Sequence, residues 1–210
     1  MSDRPVLWDV DTQVDFVHAG GKLAVPGAED VVPNMARLVR WAHEAGLTHV
    51  ASVDEHDPAD PELSDTPDFE RTYPPHCLRG TPGAAKIAET AQRDPVRLPE
   101  EPADPAALGE LVRGRREVLI PKREFDVFTN PNTAALVDLL DPAEVVVFGV
   151  ATDVCDHAAI TGLLARGRRV AFVTDASQGI SEERVARCLA EWRSAGVRFV
   201  TTNDVLAGLV

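Results

Sequence analysis

The chain has 210 residues, 44% of them hydrophobic and 26% charged, with a formal net charge of −13. One domain spanning residues 1–210 is the expectation, with enough chain to bury a core without disulfides. The acidic balance argues against a nucleic-acid or anionic-membrane partner, because a phosphate-binding face needs clustered Lys and Arg.

The opening residues 1–4 are polar and lead into a short apolar run, so no signal peptide is expected. No apolar run approaches the roughly 20 residues that span a bilayer, and a cytoplasmic location follows as the expectation. Three cysteines form no repeated spacing and read as free thiols in a reducing compartment.

In chain order, residues 6–10 form the first strand candidate. A helix over 29–45 carries Val32, Met35, Leu38 and Val39 at helical spacing and stops at Gly46. A strand over 48–53 follows. Residues 57–75 and 94–105, rich in Pro and acidic side chains, read as loops. A strand over 117–121 precedes a helix opened by Asn130 and Pro131 and running to Leu140. A strand over 144–150 leads to a helix from Val154 to Arg166, capped by Asp153 and stopped by Gly167. A strand over 169–174, a helix from Ser181 to Ala195 and a strand over 198–201 complete the chain.

Several of the strands are Val-rich with little alternation, as expected when both faces are buried. The βα alternation predicts an α/β fold: a three-layer α/β/α domain around a mostly parallel, doubly wound, Rossmann-like sheet of about six strands. Ligands of such sheets bind beyond the carboxyl ends of the strands. Those ends carry Asp11, then Asp54 and His56, then Lys122, then the segment from Ala151 to Cys155.

Cys155 falls in the first turn of a predicted helix. Unpaired amides and the helix dipole there favour an anion, lower a thiol's pKa and could hold an oxyanion. Read alone, it could equally be a small buried hydrophobe. A nucleophilic cysteine needs a group to take its proton, for which Asp11 is a candidate, and Lys122 could hold both anions in place.

The segments Asp11-Thr12-Gln13-Val14-Asp15-Phe16, Gly20 to Gly27, and Gly149-Val150-Ala151-Thr152-Asp153-Val154-Cys155 resemble the isochorismatase-like cysteine hydrolases, nearest the nicotinamidase branch. The resemblance runs from Val6 to about Ile180. It implies that Asp11, Lys122 and Cys155 are the catalytic set. It also implies a non-proline cis peptide at Val150–Ala151, aiming the Ala151 and Cys155 amides at the oxyanion.

Asp54-Glu55-His56 and the distant His76 suit Zn²⁺, Mn²⁺ or Fe²⁺ by ligand type. The nicotinamidase branch holds its metal by one Asp and three His, and the resemblance implies a divalent metal here, zinc first, with manganese and iron as alternatives. Asp54, His56 and His76 match that set. Where a further His would stand, this chain has Asp57-Pro58-Ala59-Asp60-Pro61-Glu62, so either Glu62 or Asp60 substitutes as an oxygen ligand or the site is three-ligand, weak or empty. Phe16 and Tyr73 match aromatic pocket positions, and Val154 is an apolar neighbour of the nucleophile.

His157 lies two residues past Cys155, on a different helix face. Cys188 falls with Val185, Leu189 and Trp192 at core spacing, and Cys77 reads as packing. Asp15 reads as a turn residue. Asp9 is a carboxylate in a buried strand that needs a partner the sequence does not name.

The resemblance implies hydrolysis of a small carboxamide through a thioester, with release of ammonia, by a homo-oligomer. The alternatives are hydrolysis of another small amide, ureido compound or vinyl ether on the same scaffold, and a non-catalytic binding protein.

Overall fold

The structure, a computed structural model, describes residues 4–209; residues 1–3 of the polar opening segment lie outside the described residues. Its seven strands are β1 (Val6–Val10), β2 (Thr48–Asp54), β3 (Val96–Arg97), β4 (Glu117–Lys122), β5 (Val145–Val150), β6 (Val170–Gln178) and β7 (Arg198–Val200). They form one sheet in the order β3-β4-β2-β1-β5-β6-β7, and every pairing is parallel. β1 and β5 are buried along their whole length, which is why their sequences are continuous apolar runs rather than alternating ones.

The helices are α1 (Val14–Val17), α2 (Ala28–Ala45), α3 (Pro105–Val112), α4 (Thr133–Leu140), α5 (Cys155–Ala165), α6 (Glu182–Ser194) and α7 (Thr202–Leu206). Two apolar clusters separate the layers. One packs Leu108, Leu136, Ile160 and Trp192, from α3 to α6, on Trp8, Val50 and Phe172 of the sheet. The other packs Phe16, Met35, Leu38 and Val205, from α1, α2 and α7, on Leu7, Val146 and Phe148. The expected three-layer α/β/α architecture is therefore present, with seven strands in place of six.

Four local expectations are corrected. The stretch read as a loop over 94–105 contains β3, too short at two residues to leave a periodic signal, and ends where α3 begins. Asp104 starts that helix by accepting hydrogen bonds from the Ala106 and Ala107 amides. Asn130 does not open α4, which begins at Thr133. Its side-chain amide donates to the carbonyls of Pro99 and Pro121, tying the end of β4 to a loop. Asp153 does not cap α5. Val154 occupies the cap position, and the Asp153 carboxylate accepts from the Ile180 and Ser181 amides and from Arg184. Finally, β6 continues to Gln178, whose carbonyl accepts the Thr152 amide and braces the turn before α5.

This topology positions the site. From β1 the chain builds β2 and β4 on one side, then crosses to β5, β6 and β7 on the other. The crevice between the carboxyl ends of β1 and β5 is the switch point at which such sheets bind ligands. β5 can approach β1 there because residue 149 is glycine, with φ 141°. A Cβ at that position would stand 2.1 Å from the Val10 carbonyl oxygen. Among the described residues no helix is long and apolar enough to cross a membrane.

Candidate active site

Asp11, Lys122 and Cys155 come from the ends of β1 and β4 and the start of α5, and all three are buried. Lys122 Nζ lies 2.9 Å from Asp11 Oδ2 and 3.9 Å from Cys155 Sγ, and it also hydrogen-bonds Asp54. Asp11, Asp54 and Cys155 each bring a donor atom within 4.8 Å of the others. The Ser52 hydroxyl donates to Asp11 Oδ1 at 2.6 Å and fixes that carboxylate.

The electrostatics follow from burial. Desolvation would lower the Lys122 ammonium, but Asp11 and Asp54 outweigh it and hold Lys122 charged, well above its ordinary value. Burial and Asp54 raise the Asp11 carboxyl against the pull of Lys122 and Ser52. The Cys155 thiol is pushed well up by burial and by Asp11 and Asp54, although Lys122 opposes them. This reverses the expectation that the helix start leaves the thiol acidic. Here desolvation and two carboxylates dominate, so the resting sulfur keeps its proton.

The Val150–Ala151 peptide is cis. In the turn that follows, the amides of Thr152, Val154 and Asp156 are taken by Gln178 and Ala151 carbonyls. Among the described residues, no turn or loop hydrogen bond uses the amides of Ala151 and Cys155.

Beside this group, Asp54, His56, Glu62 and His76, all buried, each bring a ligand atom within 4.8 Å of the others. His76 Nδ1 donates to the Pro74 carbonyl at 2.8 Å, which leaves Nε2 facing Asp54 Oδ2 at 3.6 Å. His56 Nε2 lies 3.9 Å from the same oxygen, while its Nδ1 faces Asp60 at 3.5 Å. Such outer partners orient the imidazoles of metal sites. Both His56 nitrogens lack a hydrogen-bond partner. Burial and Asp54 push Glu62 up to about 7. Against burial, Lys122 and the two histidines hold Asp54 well below the carboxylate range. Two carboxylates and two imidazoles converging without mutual hydrogen bonds fit a divalent transition metal. Of the two oxygen candidates, Glu62 belongs to this group. Asp60 does not: it is engaged by Arg123 and by the Asp57 amide, and serves as the partner of His56.

A narrow, mostly apolar pocket opens onto both groups. Phe16, Tyr73 and Val154 line it, with Leu23, Val25, Phe125 and Ile180. The Phe16 ring packs 5.1 Å from that of His76.

Other singled-out residues lie elsewhere. His157 stacks on Trp192 and faces Glu191, away from the sulfur. Cys188 belongs to the core, and Cys77 is buried with its sulfur on the Gly83 carbonyl. Asp15 accepts the amides of Lys22 and Cys77. Asp9 finds its partners in Lys86 at 2.7 Å, the Thr12 hydroxyl at 2.8 Å and His49 at 3.4 Å.

A family model described as the isochorismatase domain matches residues 6–204. The chain belongs to the isochorismatase family. This isochorismatase-family chain is 30% identical to a nicotinamidase/pyrazinamidase of Mycobacterium tuberculosis, over 92% of its own length and 97% of that protein. It is 24% identical to an Arabidopsis thaliana protein named as a probable inactive nicotinamidase, over 93% and 91% of the two chains. Among solved structures, the pyrazinamidase of Pyrococcus horikoshii in complex with zinc is 28% identical, with a TM-score of 0.73, covering 94% of this chain and 99% of that one.

Ser52 and Gln13 carry roles that sequence reasoning missed. Gln13 exchanges hydrogen bonds with the backbone of Asp54, holding the carboxylate that both Lys122 and the histidines share. Ser52 stands beside Val10 in the β1–β2 register, so pairing the two strands would have placed it next to Asp11. Phe125 and Ile180 follow the ends of β4 and β6 by a few residues, and only the closed fold turns them into the pocket.

Proposed function

We propose that this chain is a cysteine-dependent, nicotinamidase-like amidohydrolase of small carboxamides. The observation that carries this reading is the convergence of Asp11, Lys122 and Cys155 under an aromatic-lined pocket at the switch point of the sheet. The amidase names of relatives that cover nearly the whole chain support it.

Asp11 takes the Cys155 proton as the sulfur bonds to the carboxamide carbon. The amides of Ala151 and Cys155 hold the resulting oxyanion. The intermediate collapses by breaking the C–N bond, and Asp11 returns the proton to nitrogen, releasing ammonia and leaving a thioester. Water then attacks the thioester carbon, giving a proton to Asp11. The C–S bond breaks, Asp11 reprotonates the sulfur, and the carboxylic acid leaves. The raised Asp11 suits a group that must both accept and return a proton. Lys122 balances the negative charge as it passes between Asp11 and Cys155.

Asp54, His56, Glu62 and His76 would hold a divalent cation, zinc by the precedent of the Pyrococcus relative, with manganese and iron as the alternatives. When bound, it would supply a Lewis acid that orients a donor atom on the substrate ring. Phe16 and Tyr73 would flank that ring and exclude water. The expected setting is a cytoplasmic homo-oligomer.

Glu62 favours one second reading, a related small amide or ureido substrate, because a carboxylate there places negative charge where the nicotinamidase pattern has an imidazole. The test is ammonia release from a panel of carboxamides, nicotinamide and pyrazinamide included, with and without added metal. Cys155→Ala should abolish release while keeping the wild-type circular dichroism spectrum. Undiminished turnover in that variant would overturn the mechanism. No release from any amide, with a Cys155 inert to thiol reagents, would favour the non-catalytic reading.

A further inference from the structure

A second group of metal-ligating side chains stands at the opposite end of the sheet. His43 lies in the last turn of α2, His49 near the start of β2, and Glu117 at the start of β4. His49 and Glu117 are direct partners in the parallel register of β2 and β4, so they present neighbouring side chains on one face, and α2 brings His43 over them. Glu117 and Lys122 mark the two ends of β4, roughly 17 Å of strand apart at about 3.3 Å per residue. The group is therefore separate from the active site.

Each of the three residues brings a ligand atom within 4.8 Å of the others. His43 Nε2 lies 2.7 Å from Glu117 Oε1, yet neither atom has a hydrogen bond of good geometry. His49 is fully buried, and its Nδ1 has no hydrogen-bond partner among the described residues. The His43–Glu117 contact accounts for two of these atoms and leaves His49 Nδ1 unexplained, and a buried polar atom so placed is costly unless something else satisfies it.

The surroundings are built to orient ligands. His49 Nε2 faces the Asp9 carboxylate at 3.4 Å, which leaves the Nδ1 lone pair free to bind an ion, and Asp9 is itself held by Lys86 and Thr12. That is the carboxylate–histidine arrangement that fixes an imidazole for a metal. The second Glu117 oxygen accepts the amides of Arg93 and Asp94, at 2.9 and 2.7 Å, which aims the first oxygen. His43 and Glu117 also wall a cavity of about 270 Å³ that would admit an ion and water ligands. Arginines in that wall are partly engaged: Arg115 faces Asp94, and Arg116 bonds the Gly46 carbonyl.

We propose that His43, His49 and Glu117 form a second divalent transition-metal site, of the zinc class, that clips the end of α2 to β2 and β4. Two imidazoles and one carboxylate are a donor set that Zn²⁺ and Co²⁺ accept, with solvent completing the shell. An ion bound only by the folded chain stabilises it by mass action.

The experiment titrates the full, demetallated chain with Co²⁺, followed by calorimetry and by thermal melting. The wild type should take up two equivalents, both raising Tm. His43→Gln and Glu117→Gln should each lose one equivalent and its Tm shift while keeping the other. The double variant Asp54→Asn/His76→Gln should retain one equivalent, which keeps the proposal testable even if a single variant at the second site folds poorly. A wild type with one equivalent that the double variant abolishes would overturn the proposal. So would two equivalents in both His43→Gln and Glu117→Gln.

Discussion

Lys122 and Asp11 form a buried ion pair of 2.9 Å in which the lysine is also the cation nearest the Cys155 sulfur, at 3.9 Å. Removing the ammonium leaves Asp11 and Asp54 as uncompensated buried carboxylates. Breaking one partner of a buried pair costs about 3–5 kcal/mol. Lys122→Met should therefore lower stability by that order in urea titration. It should also slow alkylation of Cys155 at a fixed pH, because the one group pulling the thiol down is gone. Unchanged alkylation would show that Lys122 does not act on the sulfur.

Asp9 gives a pH-dependent term away from the chemistry. Burial alone would raise its carboxyl, but Lys86 and His49 outweigh burial and hold it below the ordinary value. A lowered folded value means that its contribution is fully present above about 3.9, the unfolded value, and is lost as pH falls through the lower folded one. Lys86→Met should remove that contribution and destabilise the chain by about 3–5 kcal/mol at neutral pH. The difference between variant and wild type should shrink in urea titrations carried well below about pH 4, the window between the unfolded and the lowered folded value. A gap that stays constant would mean that Asp9 is not the linked group.

Asp156 sits in the first turn of α5, wholly buried, and among the described residues neither carboxyl oxygen has a hydrogen bond of good geometry, with the Thr152 side chain as its polar neighbour. Burial first, and then Asp11, raise it well above the ordinary range. A raised folded value favours folding below the unfolded value of about 3.9, and that advantage is lost as pH rises toward the folded one. Asp156→Val should stabilise the chain by about 1–3 kcal/mol, the cost of an unsatisfied buried polar group. The gain should be larger at pH 8 than at pH 5 in denaturant titrations. A destabilised variant would point to an unseen partner for this carboxyl.

Glu62 is testable as a ligand by metal affinity alone. Glu62→Gln should weaken divalent-metal binding at the Asp54 site by at least about 10–100-fold, the loss expected when even an outer partner of a metal site is removed. Glu62→His should favour zinc over manganese, since imidazole suits the softer ion. Competition against a chelating dye reads both. Equal affinities in wild type and Glu62→Gln would remove Glu62 from the site.

The sequence by itself determined the alternation of strands and helices and the residues standing at the strand ends. These are local matters: Val-rich runs, helical spacing and glycine stops are written within a few residues of where they act. That is why Asp11, Lys122, Cys155, Asp54 and His56 could be named before any coordinates, and why the two-residue β3 could not. What the tertiary structure decided depends on register and closure between distant segments. Only the β1–β2 pairing sets Ser52 against Asp11. Only the folded loop brings Glu62 into the group with Asp54, His56 and His76 and leaves Asp60 outside it, behind His56 and against Arg123. Asp9 found Lys86, 77 residues away, by the same long-range packing. The thiol shows the division most clearly. Its position at a helix start is local and predicts an acidic sulfur. Its burial between two carboxylates is a property of the whole fold, and in a low-dielectric interior that second effect prevails.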